Sequence, residues 1–365
     1  MIRKEKEKTE LSQETTDHEL PTSWKSGSLK YDELKPMAKG GTAKIFSTHD
    51  QNLSRNVAFK SLHADLRDSE IESRRFVREA RVTANIQHPG TLPVYELGRD
   101  REGNLFFTMK KVEGRDLRKI LFDLAQEVPE VVDKFPLPRM VDILIQVGQT
   151  VAYAHDLGVI HRDLKPANVI VGEFGEVYVL DWGLAKVLGN KSLSQKKIPE
   201  EPPLSDLKLT PTGRHYGTPM YMSPEMASGS PQIDHRSDVF SLGMMLFEIL
   251  TLKPLVEGSD VFEIKEKILE KPFPLPREAA PEKNIPKDLQ AICMNALRKR
   301  KSHRYQELMS FVEDLKRFRH GEAVSVYSYS GWEKLTRWNN RHAVTILAIL
   351  SALTGAGLHA LLTSG

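Results

Sequence analysis

The chain has 365 residues, 40% of them hydrophobic, with a formal net charge of +3 and one cysteine, Cys293. That length exceeds one average domain and fits a two-lobed unit of roughly 250–300 residues with tails to spare. So small a charge gives no ground for a nucleic-acid or acidic partner, and a lone thiol excludes an internal disulfide framework and suits a reducing compartment. Flanked by Ile292 and Met294, Cys293 reads as a buried structural thiol.

Residues 1–28 are polar and lack apolar periodicity, so they read as a solvated tail; no apolar stretch follows their basic start, which excludes a secretory leader. Regular structure is expected from Leu29. Val57–Lys60 has strand character, Asp68–Ile86 reads as an amphipathic helix, and Asn104–Val112 forms a second strand group. Helical patterns then cover Val141–His155, Ser237–Leu252, Lys287–Leu297 and Gln306–Phe318. Strands first and helices later predict an α+β fold of two lobes. The small β-rich lobe with its hinge takes residues 29–112, and the larger helical lobe takes 113–320. Lys186–Leu209 is Ser-, Lys- and Pro-rich, too polar and too broken for a core, and is expected to be a mobile loop.

The chemistry concentrates in His161-Arg162-Asp163-Leu164-Lys165-Pro166-Ala167-Asn168-Val169-Ile170 and Asp181-Trp182-Gly183. Two carboxylates, an amide and an amine at fixed spacing are what phosphoryl transfer from ATP requires. One carboxylate takes a hydroxyl proton, the other joins the amide in holding Mg²⁺, and the cation lies near the migrating phosphate. The run resembles the catalytic loop and metal-binding triplet of eukaryotic-type (Hanks-type) Ser/Thr protein kinases, and among these the chain is most similar to bacterial receptor-like, membrane-anchored ones.

The resemblance extends over roughly Leu29 to His320 and implies roles position by position. Asp163 matches the catalytic base, Lys165 the cation at the γ-phosphoryl group, and Asn168 and Asp181 the Mg²⁺ ligands, with Mn²⁺ as a substitute. A lysine at Lys165 is also the pattern of Ser/Thr-directed members. Lys60 in Val-Ala-Phe-Lys matches the lysine that grips the ATP phosphates, and Glu79 the helix glutamate that holds it. The phosphate-covering loop departs from G-x-G-x-x-G: Ala38-Lys39-Gly40-Gly41-Thr42-Ala43 keeps only the middle glycine, Gly40, in place. Alanine restricts the backbone there, so weaker nucleotide affinity or reduced loop mobility is expected. Ile45, Ala58 and Ile170 match residues around adenine, Met109 the residue controlling the back pocket, Lys110–Val112 the hinge, and Asp116 a ribose ligand.

Further matches are structural. Trp182 replaces the commoner phenylalanine before Gly183. Glu225 in Ser-Pro-Glu should pair with Arg304, and Asp238 should hold the catalytic loop's backbone. Arg162 matches an arginine that pairs with a phosphorylated activation-loop residue, for which Thr210 and Thr212 are the candidates. Thr218 is expected to contact Asp163 and Lys165.

The last feature is Ala343–Leu362, twenty residues without a formal charge. As a helix they would span about 30 Å, the thickness of the hydrocarbon core. Trp332, Trp338, Lys334, Arg337 and Arg341 precede them, an aromatic and positive flank, with 321–342 as a juxtamembrane segment. Ala348, Ala352 and Ala356 recur every fourth position, as do Ser351 and Gly355, which permits a homodimer through this helix.

The expectation is therefore a kinase with its catalytic part cytoplasmic, anchored in the cell membrane by a single pass and contacting lipid and protein substrates. The alternative for the run is a terminal helix packed on a soluble cytoplasmic protein. For function, the alternatives are a pseudokinase scaffold, motivated by Ala38 and Ala43, and a small-molecule phosphotransferase of similar fold.

Overall fold

The computed structural model describes residues 25–187, 219–333 and 337. Strands β1 (Lys35–Lys39), β2 (Ala43–Asp50) and β3 (Arg55–Leu62) lead to helix α1 (Glu70–Asn85), followed by β4 (Val94–Arg99) and β5 (Leu105–Lys110). They form one antiparallel sheet in the order β1-β2-β3-β5-β4. Helix α1 starts where Ser69 accepts a hydrogen bond from the Glu72 amide, satisfying one of the unpaired first-turn donors. Beneath the sheet Phe76 and Ala80 of α1 meet Ala43, Leu62, Leu66, Leu105 and Phe107.

The large lobe opens with β6 (Gly114–Asp116), α2 (Leu117–Ala125), α3 (Pro129–Lys134) and α4 (Leu137–Asp156). Short strands β7 (Val159–Ile160), β8 (Val169–Gly172), β9 (Val177–Val179) and β10 (Lys186–Val187) carry the loops of interest. Helices α5 (Pro224–Ala227), α6 (Arg236–Thr251), α7 (Val261–Glu270), α8 (Pro276–Ala279), α9 (Lys287–Ala296) and α10 (Leu308–Arg319) complete it. Fourteen residues of α6 are buried, on every face, which makes it the post around which α4, α9 and α10 pack. Cys293 lies in this core, and burial pushes its thiol above the ordinary range.

Several boundaries differ from the sequence reading for local reasons. Helix α4 begins four residues early because Pro138 fits a first helical turn, where its missing N–H is no loss. Residues Lys186 and Val187, expected in a loop, pair with Val159 and Ile160 instead. Gly27–Lys30, at the edge of the expected tail, form a single 3-10 turn.

The loop between α1 and β4 belongs mechanically to the large lobe. The Val179 amide donates to the Gly90 carbonyl at 2.8 Å, and Thr91 bridges Val179. A methyl on Gly90 would lie 2.1 Å from Thr150 Oγ1 of α4, so only glycine permits this approach.

After α10 a strap returns over the large lobe. Ser325 donates through its amide and hydroxyl to Asp314, at 2.8 and 2.6 Å. Tyr329 donates to Asp288 at 2.6 Å, and Arg337 pairs with the same carboxylate. Among the described residues no helix is long and apolar enough to cross a membrane, and Ala343–Leu362 lie outside them.

Candidate active site

The cleft between the lobes holds a cavity of about 240 Å³. Its wall combines Gly40, Gly41, Thr42, Ala43, Ile45 and Lys60 with Glu79 and Met109, and below them Asn168, Asp181 and Trp182. Sheet, helix and loops thus bring together residues up to 142 positions apart. Ala58 and Ile170 flank this cavity rather than line it, paired with Met109 and Asp116 in their sheets. Ala38 and Lys39 lie on exposed β1, opposite Ile45 and Lys44. Lys110, on β5 ahead of the linker that contains Val112, donates to Tyr178 at 2.6 Å and ties the hinge to β9. Asp116 caps α2, accepting from the Lys119 amide at 2.9 Å. Sequence reasoning missed Thr83, Leu92, Phe107, Val179 and Leu180, which also line the cavity. None lies in a motif; Leu92, Phe107 and Val179 are buried apolar residues, Thr83 is a buried hydroxyl and Leu180 is half-buried.

Lys60 and Glu79 form an ion pair within the cleft. Burial works against the lysine's charge, but Glu79 and the nearby Asp181 outweigh it and raise its pKa. The ammonium is thereby kept charged where a polyphosphate would lie.

Lys165 donates to Asp163 at 2.7 Å. The Asn168 amide nitrogen donates to the Asp163 carbonyl at 2.8 Å and to its carboxylate at 3.2 Å. That arrangement turns the amide nitrogen toward Asp163 and leaves the amide oxygen for another ligand. Burial, with a smaller contribution from Asp181, raises the Asp163 pKa against the opposing pull of Lys165.

The loop's backbone is strained at two non-glycine residues, Arg162 at φ 68° and Asp181 at φ 63°, both left-handed. The first is held from beneath: Asp238, wholly buried, accepts from the His161 and Arg162 amides at 2.8 and 2.9 Å. It also accepts from His155 Nε2 at 2.8 Å. The His161 ring donates from Nε2 to the Leu180 carbonyl at 3.0 Å and accepts at Nδ1 from the Asp163 amide at 3.2 Å, which fixes its tautomer.

Trp182 is wholly buried, its ring centroid 4.5 Å from that of His161. Among the described residues its indole N–H meets no acceptor. Beside it, a side chain on Gly183 would start 3.2 Å from Asp181 Oδ1 and 3.5 Å from Glu79 Oε2, crowding both carboxylates.

Glu225 and Arg304 are joined by two bonds of 2.8 Å, and Ser237 donates to the same carboxylate at 2.6 Å. Arg162 gathers with two other cations, Arg78 of α1 and Lys186 of β10. After burial, this like-charge proximity is the next cause lowering the pKa of both Arg162 and Lys186. Arg78 and Lys186 had no signal in sequence, since neither lies in a motif. Thr210, Thr212 and Thr218 lie outside the described residues.

For a divalent cation the donor set is an exposed carboxylate, Asp181, and the Asn168 amide oxygen. Among the described residues no cluster of three or more His, Cys, Asp or Glu forms a cage. Few, hard protein ligands fit Mg²⁺, which takes the rest from phosphate and water.

The departures in the phosphate-covering loop do not strain it. Neither Gly40 nor Gly41 has a positive φ, and Ala38 and Ala43 sit in paired strands, Ala38 just past a shift in register. Ala43 is buried in the small-lobe core, so its methyl packs there. The expected backbone penalty of alanine therefore has no counterpart in the loop's conformation.

The protein kinase domain family model matches residues 31–314. The chain is 32% identical over 298 residues to the serine/threonine-protein kinase PknD of Protochlamydia amoebophila, covering 80% of this chain and 30% of that protein. It is 33% identical over 293 residues to PknD of Chlamydia pneumoniae, covering 78% and 31%, and 33% identical over 279 residues to PknD of Chlamydia muridarum, covering 73% and 29%. It thus spans about a third of the length of the curated relatives it matches. With the family model covering most of the chain and the cleft carrying its motif residues, the chain belongs to the protein kinase family and stands with its bacterial Ser/Thr members.

Proposed function

We propose that the chain transfers the γ-phosphate of ATP to Ser or Thr hydroxyls of proteins. The observation that carries this reading is the Asp163–Lys165–Asn168 cluster, joined through one cleft to Asp181 and the Lys60–Glu79 pair. The Asp163 carboxylate accepts the proton of an incoming hydroxyl while that oxygen bonds to the γ-phosphorus. The bridging bond breaks and ADP leaves with the electron pair. Lys165 stands beside the forming bond, and Lys60 faces the phosphates. Asn168 and Asp181 would hold Mg²⁺, which supplies charge neutralisation on the phosphates. Asp163 as a base, the paired Lys60 and the unstrained loop all favour transfer over a scaffold role.

Two finer elements belong to this reading. Phosphorylation of Thr210 or Thr212 would place roughly −1.5 to −2 charge near the Arg78, Arg162 and Lys186 cations. Anchoring and pairing through Ala343–Leu362 rest on the sequence of that run and its positive flank.

Incubation with γ-labelled ATP, Mg²⁺ and a generic protein substrate tests the activity. Label on phosphoserine and phosphothreonine from wild type, and none from Asp163→Asn, is the expected result. Equal labelling by both chains would overturn the assignment. Sedimentation with membranes that resists carbonate extraction tests the anchor separately.

A further inference from the structure

The tip joining β1 to β2 closes on a bond from the Gly40 amide to the Ala43 carbonyl, at 2.9 Å. Outside its own hairpin it is gripped by His63, just past β3. The His63 amide donates to the Thr42 carbonyl at 2.9 Å, and its Nε2 stands 3.0 Å from the Gly40 carbonyl. A carbonyl only accepts, so this nitrogen carries the hydrogen. His63 is buried, 8% exposed, so water competes poorly for the bond. The two carbonyls it grips bracket Gly41, and all three residues line the cavity that also holds Lys60 and Asp181.

In a loop with three glycines the tip is free to adapt. Here Ala38 is paired with Ile45, Ala43 is packed in the core, and His63 fixes the turn between them. We propose that His63 is a positioning residue of the nucleotide site, whose ring tethers the phosphate-covering tip so that its amides are set before nucleotide arrives. This rests on the reading of the cleft as the ATP site. The ring bond is separable from the fold: the His63 amide bond to Thr42 and the Leu66 amide bond to the His63 carbonyl involve backbone alone.

The tether acts on phosphates and not on the base, which gives its test. Binding of ADP with Mg²⁺ and of adenosine is measured by calorimetry on the full chain. The variants are His63→Ala, His63→Leu, which keeps volume without a donor, and His63→Gln, whose amide N–H reaches the same carbonyl. ADP affinity should fall about three- to tenfold in the alanine and leucine variants, the worth of one buried hydrogen bond. Adenosine affinity should stay within twofold, on the order of measurement scatter, and glutamine should recover most of the ADP loss. Unchanged ADP affinity, equal loss for ADP and adenosine, or failure of glutamine to rescue would each overturn the proposal. A wild-type chain that binds adenosine but not ADP would instead overturn the reading of the cleft, and the proposal with it.

Discussion

Asp163, half-buried, and Asp238, wholly buried, are aspartates of the large lobe whose surroundings push them in opposite directions. Asp238 accepts from three N–H groups, His155 Nε2 and the His161 and Arg162 amides, and these overcome burial to hold its pKa below the ordinary carboxylate range. Asp163 has one close ammonium and a longer contact from Asn168, and burial with Asp181 prevails, raising its pKa. A carboxylate that supports a strained backbone is saturated with donors; the one proposed to take a proton is left short of them.

The largest effects should come from the undersaturated side. Asp163→Asn is expected to lower transfer at least about hundredfold while leaving the melting temperature within a few degrees of wild type, by about the ±0.5 kcal/mol of a mild substitution or slightly above it. Asp181→Asn should abolish transfer with a smaller loss of nucleotide binding, since it removes a charge that the metal needs. Retention of activity within tenfold, on the order of 1.4 kcal/mol, would erase the contrast.

On the saturated side the damage should appear as stability. Glu225→Gln strands the buried Arg304 guanidinium, at a cost of about 3–5 kcal/mol, read from chemical unfolding. A loss of under about 1 kcal/mol would mean that the pair behaves as a surface one.

Protons should separate the two classes along the pH axis. Asp238 and Glu225 have folded pKa values below their unfolded ones, so the folded state binds fewer protons. Their stabilisation is complete above the unfolded values of about 4 and is lost as pH falls below them, through the depressed folded values. Asp163 is shifted the other way, so the acid limb of kcat/KM should lie above the ordinary aspartate value of about 3.9. A limb at or below that value in a pH–rate profile would contradict its undersaturation.

The smallest effect concerns the loop. Ala43→Gly restores the family's third glycine but removes a buried methyl, so it should lose about 1–2 kcal/mol of stability with no gain in ATP affinity. A gain in affinity would show that alanine does restrain the phosphate-covering turn.

The sequence disclosed the chemistry more readily than the architecture. Asp163, Lys165, Asn168 and Asp181 were legible because they sit in short runs at fixed spacing, and the long helices because 3.6-residue periodicity accumulates over four turns. Strands of two to four residues, such as Val159–Ile160 and Lys186–Val187, carry no period and exist only through partners far along the chain. The same holds for single contacts. Nothing in Ser61-Leu62-His63-Ala64 tells that the imidazole reaches back 23 residues to Gly40, and nothing around Arg78 tells that it faces Arg162. The pairing of Glu225 with Arg304, 79 residues away, was legible only through family resemblance.

The bond between Gly90 and Val179 sets how the cleft can move. Because the loop before β4 is stitched to β9, and Lys110 grips Tyr178 on the same strand, any opening that keeps these bonds must turn about the neighbourhood of β9. The cleft's floor and the linker to the small lobe therefore share one strand, β9.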